Sequence, residues 1–205
     1  MLIKINRKTC LEQFPLFPLS SYDYLKDEEE YYYPKVFASH ILTFASKSFK
    51  GHISILGTSL GELSKGLHYD SLIFLGDADR AWLYQDNDYK PTREAQQYLE
   101  YNKIGKRFNG ALQVDLSELP VFIKHLCWLT RCNAALPYFH FTDRGQNIIG
   151  HICKYGNLHL DTVNSKTENL VQAITTKSRF IFMDGNNCYN QFGKTSAIYG
   201  RKTII

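Results

Sequence analysis

The stretch "YFHFTDRGQNIIGHICKYGNLHLDTV", residues 138–163, decides the fold. Apolar and polar residues alternate in three runs, "YFHFTD", "NIIGHICKY" and "LHLDTV", separated by turn-forming residues. Period-2 alternation of this kind marks half-buried β-strands. Three strands this close in sequence predict an antiparallel meander. "RFIFMD" and "SAIYGRKTI" continue the strand pattern to the end of the chain, with a short helix expected over 167–175.

Working back from the meander, "SELPVFIKHLCWLTRCN" reads as a helix. Ser117 suits its N-cap, Pro120 falls in the first turn where proline is tolerated, and Leu119, Phe122, Ile123, Leu126 and Leu129 form one apolar stripe. "GALQVDL" gives a strand near 110–114, and "PTREAQQYLEYNKIG" a second helix over 93–103 that Gly105 ends. In "SLIFLGDADRAWLYQ" two apolar runs, 71–75 and 81–85, flank a turn composition and predict a hairpin. "VFASHILTFASKSF" places Phe37, Ile41, Leu42 and Phe44 at near-helical spacing, so a helix is expected near 37–48. "HISILG" then reads as a short strand that Gly57 ends. Residues 1–36, punctuated by Pro15, Pro18 and Pro34, predict an irregular Pro/Tyr-rich segment packed on the rest. The fold class that follows is α+β: one domain over 1–205, a largely antiparallel sheet whose C-terminal third is a meander, packed with three to four helices.

Composition narrows the function classes. The hydrophobic fraction of 44% argues against global disorder. The net charge of +4 is spread along the chain, and its densest basic pieces, Lys103–Arg107 and Gly200–Lys202, are short. Nucleic-acid binders concentrate such residues in a stripe, so a nucleic-acid partner is not expected. No apolar run approaches a membrane span, so no membrane partner is expected. The five cysteines are scattered without a CxxC pair, and no secretion signal or glycosylation acceptor is present. These features predict a reduced, cytoplasmic protein. The 14 tyrosines and 13 phenylalanines against 2 methionines suit either a β-rich core or a protein-contact surface.

Chemistry-bearing residues crowd into "GHICKYGNLHLD", residues 150–161. Gly156-Asn157 between two strands suits a type II′ two-residue turn. That turn sets Cys153 opposite Leu160 and His151 opposite Thr162. His151 and Cys153 then share an apolar face with Leu158 and Leu160, whereas His159 and Asp161 share the other. Ligands on opposite sheet faces cannot close one tetrahedral site, so no metal or other cofactor is expected. His159 and Asp161 remain as a candidate acid–base pair, with His140 or Cys188 as accessory groups. Asp77-Ala-Asp79 has the composition of a hairpin turn, and "FGKTS" at 192–196 lacks the first glycine of a phosphate loop.

The most unusual composition is "DEEEYYYP", residues 27–34. Asp27, Glu28, Glu29 and Glu30 supply negative charge, and Tyr31, Tyr32 and Tyr33 cannot all be buried on one strand face. Charge that steers encounter beside aromatic anchors suits docking onto a basic protein partner, such as a toxin domain. The expected function is therefore a protein-binding, inhibitory protein, in its most specific form a bacterial toxin-neutralising (immunity-type) protein that acts by occluding its partner's surface. The alternative is a small hydrolase or nuclease that uses His159 and Asp161. Composition alone leaves open whether the protein is an enzyme.

Overall fold

The computed structural model describes residues 2–23, 27–183, 188–193 and 197–203. Its frame is an eight-stranded sheet in which every pairing is antiparallel. In chain order the strands are β1 (Leu2–Ile5), the hairpin strands β2 (Leu19–Asp23) and β3 (Glu28–Tyr32), β4 (Ala38–Thr43), β5 (Ser71–Gly76), β6 (Ala111–Asp115), β7 (Phe139–Thr142), β8 (Ile148–Ile152), β9 (Leu158–Thr162) and β10 (Ile181–Phe182). Spatially the large sheet runs β1-β6-β5-β7-β8-β9-β4-β10, and β2 pairs with β3 in a separate two-stranded sheet. The helices are α1 (Arg7–Gln13), α2 (Phe49–Gly66), α3 (Lys90–Tyr101), α4 (Leu119–Cys132) and α5 (Ser165–Thr176). This is the α+β architecture that the alternating strands and the apolar-striped helix predict, with β7-β8-β9 as the meander.

One sheet face carries Leu72, Phe74, Leu112, Val114, Phe141, Ile148, Leu158 and Leu160, all buried in one core with side chains of α2, α3, α4 and α5. Each such side chain stabilises the fold by about 1.5–3 kcal/mol through area removed from water. The second face is divided. Over its β1–β6–β5 half lies a small cluster of Cys10, Phe17, Ile73, Leu75 and Ala111, with Ile5, Leu11 and Phe14 from around α1 packed against it. Among the described residues no such apolar cluster covers its β7–β8–β9–β4 half, which forms the floor of a groove.

Several local expectations are corrected. Residues 38–43 are strand, not helix, because His40 pairs Leu160 and Leu42 pairs Leu158 across β4 and β9. The expected strand "HISILG" lies inside α2, which Ser48 caps by accepting from Gly51 N–H at 3.2 Å. Its buried stripe of Phe49, Ile53, Leu56, Leu60 and Leu63 follows helical spacing. Gly57 does not end a strand. A Cβ there would lie 2.9 Å from the Pro120 backbone, so the glycine sets how closely α2 approaches α4. The hairpin expected over 71–85 supplies only β5: Trp82 and Leu83 are buried on irregular chain, Trp82 stacking on Phe139 at a ring-centroid distance of 4.0 Å. Residues 1–36 are more regular than expected, holding β1, α1 and the β2–β3 hairpin. The final strand expected over 196–204 lies partly outside the described residues; among those described, Lys202 forms an isolated bridge to Asn133 and the rest is irregular.

Candidate functional site

The groove is defined by the register of the meander. Cys153 N–H donates to Asn157 O at 3.1 Å and Gly156 N–H to Cys153 O at 2.8 Å, which closes a three-residue loop, Lys154-Tyr155-Gly156. Gly156 takes φ +85°, the left-handed conformation that the third position of such a loop requires. The expected two-residue turn is thus replaced by a longer one. His151 consequently pairs with His159, not Thr162, and Ile149 with Asp161. A one-residue change of this kind moves every side chain of one strand to the other face. His151, Cys153, His159 and Asp161, expected on two faces, all lie on one.

Strand β7 adds to the row, because His140 pairs with His151. Three imidazoles therefore stand side by side across three strands, with ring centroids 5.0 Å apart between His140 and His151 and 4.4 Å between His151 and His159. Burial, and then the neighbouring imidazole of His159, lowers the pKa of His140 to about 3. Burial likewise holds His151 well below the ordinary histidine value, with His140 and His159 adding to the effect. Both rings are neutral at physiological pH. His140 Nδ1, His151 Nδ1 and His159 Nε2 are buried without a hydrogen-bond partner, an arrangement costly unless something polar meets them.

At the end of the row Cys188 enters from the chain beyond β10. Its Sγ lies 3.2 Å from Cys153 Sγ and accepts from Asn157 Nδ2 at 3.1 Å. The Cys153 thiol lowers the Cys188 pKa most, by donating to its thiolate, and His159 and Asn157 add to this against the opposing effect of burial. Cys153 moves the other way and keeps its proton, held by Cys188 and by burial. Asn157 is itself oriented: its Oδ1 accepts from Thr43 Oγ1 at 2.8 Å and from Gln191 Nε2 at 3.2 Å, so its amide N–H faces the sulfur. Gln191 also donates to Thr43 Oγ1, completing a chain Gln191–Thr43–Asn157–Cys188. Cys10, by contrast, is pushed by burial up to about 11.

Asp161 lies one row along the same face. Its carboxylate accepts a short hydrogen bond from Tyr33 Oη, which, after burial, holds the phenol protonated. His159 and Asp161 line one cavity of about 470 Å³, bounded also by Tyr33, His40 and Met183. The histidine is directed to Cys188 and the carboxylate to Tyr33. A second cavity, about 300 Å³, shares His151 and His159 with the first and extends to Tyr31, Tyr155, Cys153 and Cys188. Together they form one groove along the imidazole row. Cys153, His159 and Cys188 bring their ligand atoms within 4.8 Å of one another and are the residues that could hold a metal ion.

The acidic, tyrosine-rich segment forms the other wall. Tyr31 and Tyr33 turn towards the row, Tyr31 Oη lying 3.4 Å from His140 Nε2, and burial raises the Tyr31 pKa to about 12. The three tyrosines remain between 37% and 53% exposed. Asp27 occupies the turn at φ 57°, Glu28 and Glu30 are exposed on β3, and the side chain of Glu29 lies outside the described residues. Asp77 accepts from the N–H groups of its neighbour Ala78 and of the distant Tyr138, which ties the chain after β5 to the chain before β7 and not to a hairpin partner, and Asp79 lies 4.0 Å from Arg7. Lys194, Thr195 and Ser196 of "FGKTS" lie outside the described residues.

Sequence reasoning paired His159 with Asp161 but missed Asn157, whose role depends on the loop register. Nor did it place Cys188 against Cys153, because no local pattern reports a contact across 35 residues. Comparison of the chain with known protein families, with curated proteins and with solved structures finds no match.

Proposed function

We propose that the protein is a small hydrolase whose nucleophile is the Cys188 thiolate and whose proton carrier is His159. The observation that carries this reading is the setting of Cys188 Sγ, held between the Asn157 amide at 3.1 Å and the Cys153 thiol at 3.2 Å, beside His159 at the wall of a groove. Thiolates, not thiols, attack, and hydrogen-bond donors around sulfur favour the thiolate. The chemistry suits an acyl substrate, whether ester, thioester or amide. With the Cys188 proton carried by His159, sulfur adds to the carbonyl carbon, the leaving group departs with that proton, and a thioester remains on Cys188. Water then adds as His159 takes its proton, and the carboxylic acid is released. Asp161, fixed by Tyr33, offers an acceptor further along the groove for a donor group of the substrate.

The test is a panel of chromogenic esters, thioesters and amides, assayed with a chelator and a reductant present. Removal of the nucleophile in Cys188→Ala should lower turnover by about a thousandfold or more, as for other residues that act as a catalytic unit. Mass spectrometry should find the acyl group on Cys188. Turnover that survives Cys188→Ala, or an adduct on another residue alone, would overturn the reading.

A second reading concerns the hairpin, and its support is the exposure of Tyr31 at 53% and Tyr32 at 48% beside exposed Glu28 and Glu30. This surface suits docking of a basic protein, in the immunity-type manner expected from composition. Charge reversal at Asp27–Glu30 with alanine at Tyr31–Tyr33 should then abolish a complex that His159→Ala leaves intact. Persistence of the complex after both sets of changes would exclude the hairpin as the docking surface.

A further inference from the structure

We propose that Cys153, His159 and Cys188 form a binding site for one thiophilic divalent cation, Zn²⁺ in the cell, with the fourth coordination position open to the groove. The site uses the sulfur on which the hydrolase reading rests, but it stands without that reading. Two thiolates and an imidazole are the ligand set that zinc prefers, and three protein ligands leave one position for water or another small ligand.

The geometry is close to what such an ion needs. Tetrahedral coordination with metal–sulfur bonds of about 2.3 Å and metal–nitrogen bonds of about 2.0 Å separates two sulfurs by about 3.8 Å and sulfur from nitrogen by about 3.5 Å. The three ligand atoms lie within 4.8 Å of one another, and the sulfurs are 3.2 Å apart. Parting the sulfurs by about 0.6 Å, a small side-chain rotation, admits the ion. The imidazole of His159 is the third member of the cluster, and its Nε2 is buried with no hydrogen-bond partner, so no protein group competes for that nitrogen. Binding is balanced in charge. Cys188 enters as thiolate, Cys153 releases its proton to solvent, and the two sulfurs neutralise the cation. The Asn157 N–H bond to Cys188 Sγ and the Thr43–Asn157 bond behind it supply the outer shell that holds a ligand in place. Among the described residues this is the one cluster of three such ligands. Cys10, Cys127 and Cys132 are buried elsewhere as free thiols and provide internal controls. Occupancy would also tie up the Cys188 lone pair, so zinc would suppress thiol chemistry in the groove.

The test is titration of reduced, metal-free protein with Zn²⁺ against a chromophoric chelator, with Co²⁺ as the spectroscopic probe. One equivalent should bind, and Co²⁺ should show sulfur-to-metal charge transfer with intense tetrahedral d–d bands. Cys153→Ser, His159→Gln and Cys188→Ser should each weaken binding by about a hundredfold or more, whereas Cys10→Ser should not. Should Cys153→Ser fail to fold, Cys188→Ser decides. Absence of a stoichiometric equivalent, or wild-type binding by Cys188→Ser, would overturn the site. The two proposals fail separately. Hydrolysis lost on chelation and restored by Zn²⁺ removes the thiol mechanism and keeps the site, whereas hydrolysis untouched by a full equivalent of Zn²⁺ removes the site's overlap with the nucleophile and so the site as drawn.

Discussion

Acidification should destabilise this protein through its imidazole row, and the size of the effect follows from burial. His140 is 1% exposed, and burial lowers its pKa from 6.5 to about 3. A histidine whose folded pKa is depressed binds fewer protons folded than unfolded. Its contribution is therefore fully present above the unfolded value of 6.5 and is lost as pH falls from there towards the folded value. At pH 5 the unfolded histidine is protonated and the folded one is not. At 1.36 kcal/mol per unit, a gap of 1.5 units costs about 2 kcal/mol, wherever below 5 the folded value lies. His151, also held well below its ordinary value by burial, acts in the same direction, so acidification works against the row at two positions in a protein whose typical total stability is about 5–15 kcal/mol. Carboxylates such as Glu168, whose pKa is lowered, lose their contribution below this window. Urea denaturation of metal-free protein at pH 7.5 and pH 5 provides the assay, with His140→Phe as the comparison. Phenylalanine fills the ring volume and removes both the titration and the unpartnered Nδ1. Wild type should lose about 2 kcal/mol more than the variant between the two pH values. Equal losses would refute the claim that the row is buried and neutral.

Two further substitutions probe packing and site. Gly57→Ala improves helix propensity by about 1 kcal/mol, yet its methyl group would meet the Pro120 backbone at 2.9 Å; net destabilisation of about 1–3 kcal/mol by urea denaturation is expected, and a gain would contradict the close α2–α4 approach. Thr43→Val removes the hydroxyl that orients the Asn157 amide. Alkylation of Cys188 should change severalfold in the variant while the alkylation of Cys10 does not, as read by peptide mapping.

The meander was legible in the sequence because each strand has one face in the core and one outside it, which writes alternation directly into residues 138–163. Its register was not, because Gly156 fits both a two-residue turn and the left-handed third position of a three-residue loop. That single ambiguity separated His151 from His159, and with them the row. Residues 37–66 reversed helix and strand for a related reason. Phe37, Ile41, Leu42 and Phe44 fit helical spacing, yet only Leu42 and Phe44, two residues apart, are buried while Phe37 is exposed, and Gly51, Gly57 and Gly61 obscured the longer stripe of α2. Trp82 and Leu83 looked like strand residues since burial by irregular chain leaves no periodic mark. Cys188 carried only the weak signal of a polar, turn-rich setting, because its partners lie far off in sequence: Cys153 and Asn157 in the connection between β8 and β9, and His159 in β9. The acidic tyrosine segment stood out by composition, but that it overhangs the histidines is a product of the fold.

The reactivity of Cys188 is tested most directly by the pH profile of its alkylation with iodoacetamide, in reduced, metal-free protein with peptide mapping. An ordinary thiol reacts about tenfold faster for each unit of pH below its pKa, because only the thiolate attacks. The hydrogen bonds from Cys153 and Asn157, with His159 adjacent, predict a rate at Cys188 that changes little between pH 6 and pH 8. The profile should steepen in the Asn157→Ala, Cys153→Ala and His159→Ala variants. A tenfold rise per unit at Cys188 in the wild type would contradict the assignment of Cys188 as the nucleophile.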